Sequence, residues 1–235
     1  MSAGEVSQPG ERPLGEPQQR LLRQLLAVWL QFERDLDNVP VLRRLLSGQF
    51  EAGDYRRVLL NLRQQVVEGS RWIARAASSF DSQYLELRSL VLQHAREEHR
   101  DYEMLERDYL EAGGNPSELR STEKNVGSEA LHGYLMYRSS LPNPLGLLGA
   151  MFIIEGLGQK MASEWAQRIR EQTGLGENAT RFLSYHGHND DAHLGKLQHV
   201  LETEELSDAV ARDVVKVARV VARLYRLQLE ELDVR

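Results

Sequence analysis

The chain has 235 residues, no cysteine and a formal net charge of −6. The lack of cysteine excludes disulfide scaffolds, thiolate metal sites and a thiol nucleophile, so a bound metal would need nitrogen and oxygen ligands. The acid excess argues against nucleic acid or an anionic membrane as the main partner. No apolar run reaches ~18 residues and no secretory signal is recognisable, so we expect a cytoplasmic protein without a membrane partner.

The first 17 residues have the composition of a tail. They contain three of the seven prolines, three glycines and few large aliphatic side chains. Such a segment buries too little apolar surface to offset the entropy of ordering it. We therefore predict a disordered tail over 1–17 and a single folded domain over 18–235.

The remainder has the apolar periodicity of helices. Large apolar residues recur at spacings of three and four, for example Leu21, Leu25 and Trp29 near the start and Val210, Val214 and Val217 near the end. This period is typical of amphipathic helices. Breakers such as the run 113–116, Gly-Gly-Asn-Pro, separate the helices. The pattern predicts an all-α domain of seven or eight helices.

A histidine-rich segment carries the first candidate metal ligands. On a helix, offsets of four and seven residues return to within about +40° and −20° of the starting direction. His186, Asp190 and His193 would therefore share one face. An imidazole, a carboxylate and an imidazole on one face can bind one or two metal ions.

A second segment has the same spacing. His94, Glu98 and Asp101 would lie on one helix face, and Glu97 beside them could replace Glu98. Most charge-rich helix faces of this kind are only solvated surfaces. These residues therefore indicate a metal site only in combination with the other candidate segments.

A single acid interrupts the apolar stretch 147–158. Glu155 follows four large apolar residues, and a buried carboxylate is costly unless it is paired, protonated or bound to a metal. Phe152, Ile153 and Leu157 in this stretch could line a substrate cavity or simply pack in the core.

Convergence of the three segments would create a metal site of three imidazoles and four carboxylates. Four negative charges balance two Fe²⁺ ions, and this mixture of ligands suits iron or manganese. The two Glu-x-x-His pairs of ferritin-like sites do not occur in the three segments. The candidate ligands are His94, Glu98, Asp101, Glu155, His186, Asp190 and His193.

These residues resemble the heme-oxygenase-like di-metal oxidases, or iron-containing redox enzymes, over roughly 38–232. The resemblance rests on the segment 39–50, on the Glu97-Glu98 pair, on Glu155 and, most specifically, on the motif that runs from His186 to His193. The family usually places a histidine where Asp101 stands, and His94 stands where a glutamate can occur. Either the two ligand types are exchanged in this chain, or one metal position is weak or empty, or the alignment with the family is shifted here by one helical turn.

The resemblance implies a heme-oxygenase-like helical fold and an O₂-activating enzyme with Fe(II), two ions in all, with manganese as an alternative. It also implies a small organic substrate, such as a fatty acid or an amino acid derivative, and a homodimer. Three other interpretations stay open. These are a metal-free thiaminase-like hydrolase with Glu155 as acid/base, a heme-degrading enzyme, and a non-enzymatic helical protein that binds a ligand or partner.

Overall fold

The computed structural model describes residues 15–188, 195, 200 and 206–233, and this part of the chain contains helices and no strand. The all-α prediction is confirmed. The helices are α1 (Glu16–Leu36), α2 (Pro40–Leu46), α3 (Ala52–Val66), α4 (Gly69–Ser79), α5 (Leu85–Glu97), α6 (Tyr102–Glu111), α7 (Glu118–Ser121), α8 (Val126–Ser139), α9 (Leu148–Leu157), α10 (Ser163–Thr173), α11 (181–188) and α12 (Asp208–Glu230).

Two pairs of helices run on from one another, so the twelve helices of the described residues form ten separate segments, where seven or eight were expected. A single 3₁₀ turn, Glu98–Arg100, separates α5 from α6, and a π-helical turn, Gly158–Ala162, separates α9 from α10. Helix α1 begins at Glu16, with Pro17 in its first turn. Helix α1 therefore includes Glu16 and Pro17, which the sequence analysis placed in the tail, and residues 1–14 lie outside the described part.

The first residues of α12 and of α9 show how the core is assembled. Ser207 caps α12 by accepting a hydrogen bond from the Val210 N–H at 3.3 Å, as such residues commonly do. Helix α12 packs on α1, α8 and α9. At Gly149 a Cβ atom would lie 2.0 Å from the Val214 carbonyl oxygen. The backbones of α9 and α12 are thus in direct contact, and this contact fixes the position of the helix that carries Glu155.

One described helix, Leu145–Thr173, is long and apolar enough to cross a membrane by length and composition. However, 61% of its most apolar window is buried inside the protein. Core helices of water-soluble domains pass the same test, and α9 packs against α12 as such a helix does.

Candidate metal centre

The first ligand segment is not one continuous α-helix. His94 lies in the last turn of α5, Glu98 begins the 3₁₀ turn, and Asp101 follows that turn immediately before α6. His94 and Asp101 are buried and Glu98 is half-buried. The tighter turn changes the angular step between residues, yet all three side chains reach the same interior region.

Glu155 approaches this segment from α9. Only 7% of its surface is exposed, and its Oε1 lies 3.3 Å from Nε2 of His94. The neighbouring Gly156 allows the ring of Trp29 to pack against the helix, since a Cβ atom there would lie 3.1 Å from that ring. The π-helical turn begins three residues after Glu155, and such turns occur often at functional sites.

His186 reaches the centre from α11. The side chain is buried, and its Nε2 lies 3.4 Å from Oδ2 of Asp101. The ring of Phe182, one turn earlier, packs on the imidazole with a centroid separation of 4.4 Å. This packing orients His186 towards the acidic residues.

The five residues form two groups of three that share Glu98. One group is His94, Glu98 and Glu155, and the other is Glu98, Asp101 and His186. Within each group, one potential ligand atom from each residue lies within 4.8 Å of the others. Two adjacent groups of imidazole and carboxylate side chains that share one carboxylate could hold two cations side by side.

The structure thus brings together five of the seven residues predicted from the sequence. The other two, Asp190 and His193, lie outside the described residues. Glu97 is exposed and accepts a hydrogen bond from Gln93 Nε2 at 2.8 Å. The geometry therefore favours Glu98 over Glu97 as the member of this group.

Crowding of carboxylates changes the proton affinity of Glu98. Burial and the nearby charge of Glu155 raise the pKa of Glu98 to about 7, because both disfavour the ionised form. A bound divalent cation would reverse this effect by stabilising the carboxylates. The donor set of imidazoles and carboxylates fits iron or manganese.

Asp108 is a residue of this region that the sequence analysis did not identify. It lies fully buried on α6 and accepts a hydrogen bond from the Phe182 N–H at 2.9 Å. The first N–H groups of a helix have no partner inside it, so Asp108 caps the helix that carries His186. Its burial raises its pKa to about 6, even though backbone hydrogen bonds oppose this.

We expect Asp108→Asn to change how stability depends on pH. The pKa of Asp108 is raised from 3.8 to about 6 by folding, so its stabilising contribution is complete below pH 3.8 and is lost as the pH rises to about 6. The wild-type protein should lose about 2 kcal/mol relative to the variant across this window, after allowance for solvent screening. Urea unfolding of the two metal-free proteins at several pH values measures the difference between their free energies of unfolding. The titration of all other groups cancels in this difference. A difference that does not vary with pH would contradict the expectation.

A mainly apolar cavity adjoins the metal centre. Glu98, Glu155 and His186 line one part of it, and Leu157 of α9 lines another. Of the residues considered for this role, Ile153 is fully buried in the core instead. The cavity gives a small molecule access to the carboxylate and imidazole groups.

Comparison with known proteins identifies the family. Residues 62–226 match the profile of the family described as iron-containing redox enzymes. Because the match spans more than half of the chain, the protein belongs to that family. No curated protein matches the chain.

Solved structures share the fold. A domain of unknown function with a heme oxygenase-like fold from Shewanella denitrificans has a TM-score of 0.84 and 19% identity, with coverage of 90% of this chain and 91% of that one. A TenA homolog from Pseudomonas syringae pv. tomato has a TM-score of 0.73 and 14% identity, with coverage of 98% and 99%. A TenA homologue from P. horikoshii has a TM-score of 0.71 and 14% identity, with coverage of 90% and 97%. At these identities the similarity shows the fold alone, and the heme-oxygenase-like prediction is confirmed.

Proposed function

We propose that this protein is a non-heme diiron enzyme that uses O₂ to oxidise a small organic molecule. The observation that carries the proposal is the sharing of Glu98 between two groups of potential ligands. Membership of the iron-containing redox enzyme family supports iron as the metal.

Each described residue has a role in this proposal. His94 and Glu155 would hold one ion, Asp101 and His186 would hold the other, and Glu98 would bind both. Asp190 and His193, which lie outside the described residues, are proposed as further ligands on the basis of the sequence motif. Two ferrous ions held there would supply two of the four electrons for complete reduction of O₂, and oxidation of the substrate would supply the other two.

The protein also controls access to the centre. The cavity wall beside Glu98 and Glu155 is mainly apolar, and exclusion of water by a bound substrate would strengthen electrostatic interactions there. Phe182 holds the imidazole of His186 in place, and Asp108 holds the helix of Phe182. A homodimer in the cytoplasm remains part of the proposal on the basis of the family resemblance.

Anaerobic reconstitution with Fe²⁺ tests the proposal. The protein should bind between one and two irons per chain and develop a transient absorbance when it is exposed to O₂. Mn²⁺ in a parallel sample should occupy the same positions without that absorbance change. Failure to take up iron would overturn the proposal and would favour the metal-free hydrolase, in which Glu155 acts as the acid/base group.

A further inference from the structure

A chain of polar side chains leads from the core to the cavity. Asn61 Nδ2 donates to Ser128 Oγ at 3.0 Å, and Ser128 Oγ donates to Gln228 Oε1 at 3.1 Å. Gln228 Nε2 in turn donates to Gln65 Oε1. The first three residues are buried, so water does not compete with these hydrogen bonds.

The directions of these hydrogen bonds assign the orientation of the Gln65 amide. Gln228 Oε1 accepts from Ser128 Oγ and Gln228 Nε2 donates to Gln65 Oε1, which leaves the Nε2 of Gln65 outside this network. The Nε2 of Gln65 then remains as a donor. Gln65 lines the cavity beside the metal centre, and the described residues provide no acceptor for this nitrogen.

The other described residues that line the cavity include no lysine and no arginine. Apart from Glu98, Glu155 and His186, most of them are aliphatic or aromatic, such as Phe50 and Trp165. An ionised group placed in such surroundings without a partner is strongly disfavoured. A neutral acceptor placed near the Gln65 Nε2, in contrast, would gain a hydrogen bond.

We propose that the cavity binds a neutral, mainly apolar substrate whose hydrogen-bond acceptor, such as a ketone, ester or ether oxygen, is held by Gln65 Nε2. This inference rests on the proposed function, since it names the substrate class of the same site. The part of the substrate that lies in the cavity beyond the metal ligands therefore carries no charged group. Amino acids, one of the classes implied by the family resemblance, fit this lining poorly because their charges are always present near pH 7.

Three probes of similar size test the proposal on the metal-free full-length protein. Acetophenone carries one acceptor, ethylbenzene carries none, and benzoate carries a charge. NMR titration should show that wild-type protein binds acetophenone and ethylbenzene but not benzoate. Gln65→Met, which keeps the size and removes the donor, should weaken acetophenone binding about fivefold and should not weaken ethylbenzene binding. Gln167→Met, the same exchange at an exposed position of α10, should change neither affinity.

The infrared carbonyl stretch of acetophenone gives a second measurement on wild-type protein, which needs no variant to fold. The bound carbonyl should absorb at the lower frequency of a hydrogen-bonded ketone. Equal acetophenone affinity in wild type and Gln65→Met, a carbonyl frequency without hydrogen bonding, or benzoate binding as tight as acetophenone would each overturn the proposal. These measurements use no iron, so their outcome is independent of the iron-uptake test.

Discussion

Glu98→Gln is expected to abolish tight binding of iron at both metal positions. Glu98 belongs to both groups of potential ligands, and the amide keeps the size of the side chain while it removes the charge that a cation needs. Replacement of residues that only orient metal ligands already lowers affinity by about 10–100-fold, so loss of this shared carboxylate should lower it by more than about 100-fold. Iron content after anaerobic loading and desalting measures the effect, and circular dichroism confirms that the helices are retained.

The adjacent residue provides a matched control. Glu97→Gln makes the same exchange one position earlier, on an exposed side chain that is bonded to Gln93, and should leave iron content unchanged. Glu155→Gln and His186→Ala each affect one group only and should retain about one iron per chain. Loss of iron in the Glu97 variant but not in the Glu98 variant would show that the ligand assignment is wrong by one residue.

Gly149→Ala should have the largest effect on folding. A Cβ atom at Gly149 would lie 2.0 Å from the Val214 carbonyl oxygen and 2.8 Å from the Ala218 nitrogen. Both are backbone atoms of α12, so neither can turn away as a flexible side chain could. The two helices would have to separate, and we expect the free energy of unfolding to fall by about 3 kcal/mol. Since Glu155 lies on the same helix, iron affinity should fall as well.

Substitution of a second helical glycine distinguishes the effect of steric contact on stability from the effect of helix propensity. Gly133 lies on an exposed part of α8, where an added Cβ would meet nothing within 4 Å. Gly133→Ala should therefore raise stability by up to about 1 kcal/mol, because alanine favours the helix more than glycine does. Urea unfolding of the two variants measures both effects. Equal stability of Gly149→Ala and wild type would mean that α9 and α12 do not approach as closely as described.

Particular patterns in the sequence were sufficient to predict the fold class and to select five residues that the structure brings together. The spacing of apolar residues predicts helices because it shows which face of each helix is buried. This prediction does not depend on which other helices that face packs against. Glu155 could be recognised because an isolated acid in an apolar stretch needs a partner of its own. The lack of cysteine restricted any metal ligands to imidazole and carboxylate groups without reference to a fold.

Only the tertiary structure decided how these groups meet. Helical periodicity assumes a constant angular step, so it could not show that the chain tightens into a 3₁₀ turn at Glu98–Arg100 or that Glu97 faces outward. The sharing of Glu98 between two groups depends on α5, α9 and α11 meeting in space. Asp108 and Gln65 gain their roles from partners 74 and 163 residues away in the chain. Contacts of that separation are set by the packing of whole helices, which no local spacing of residues encodes.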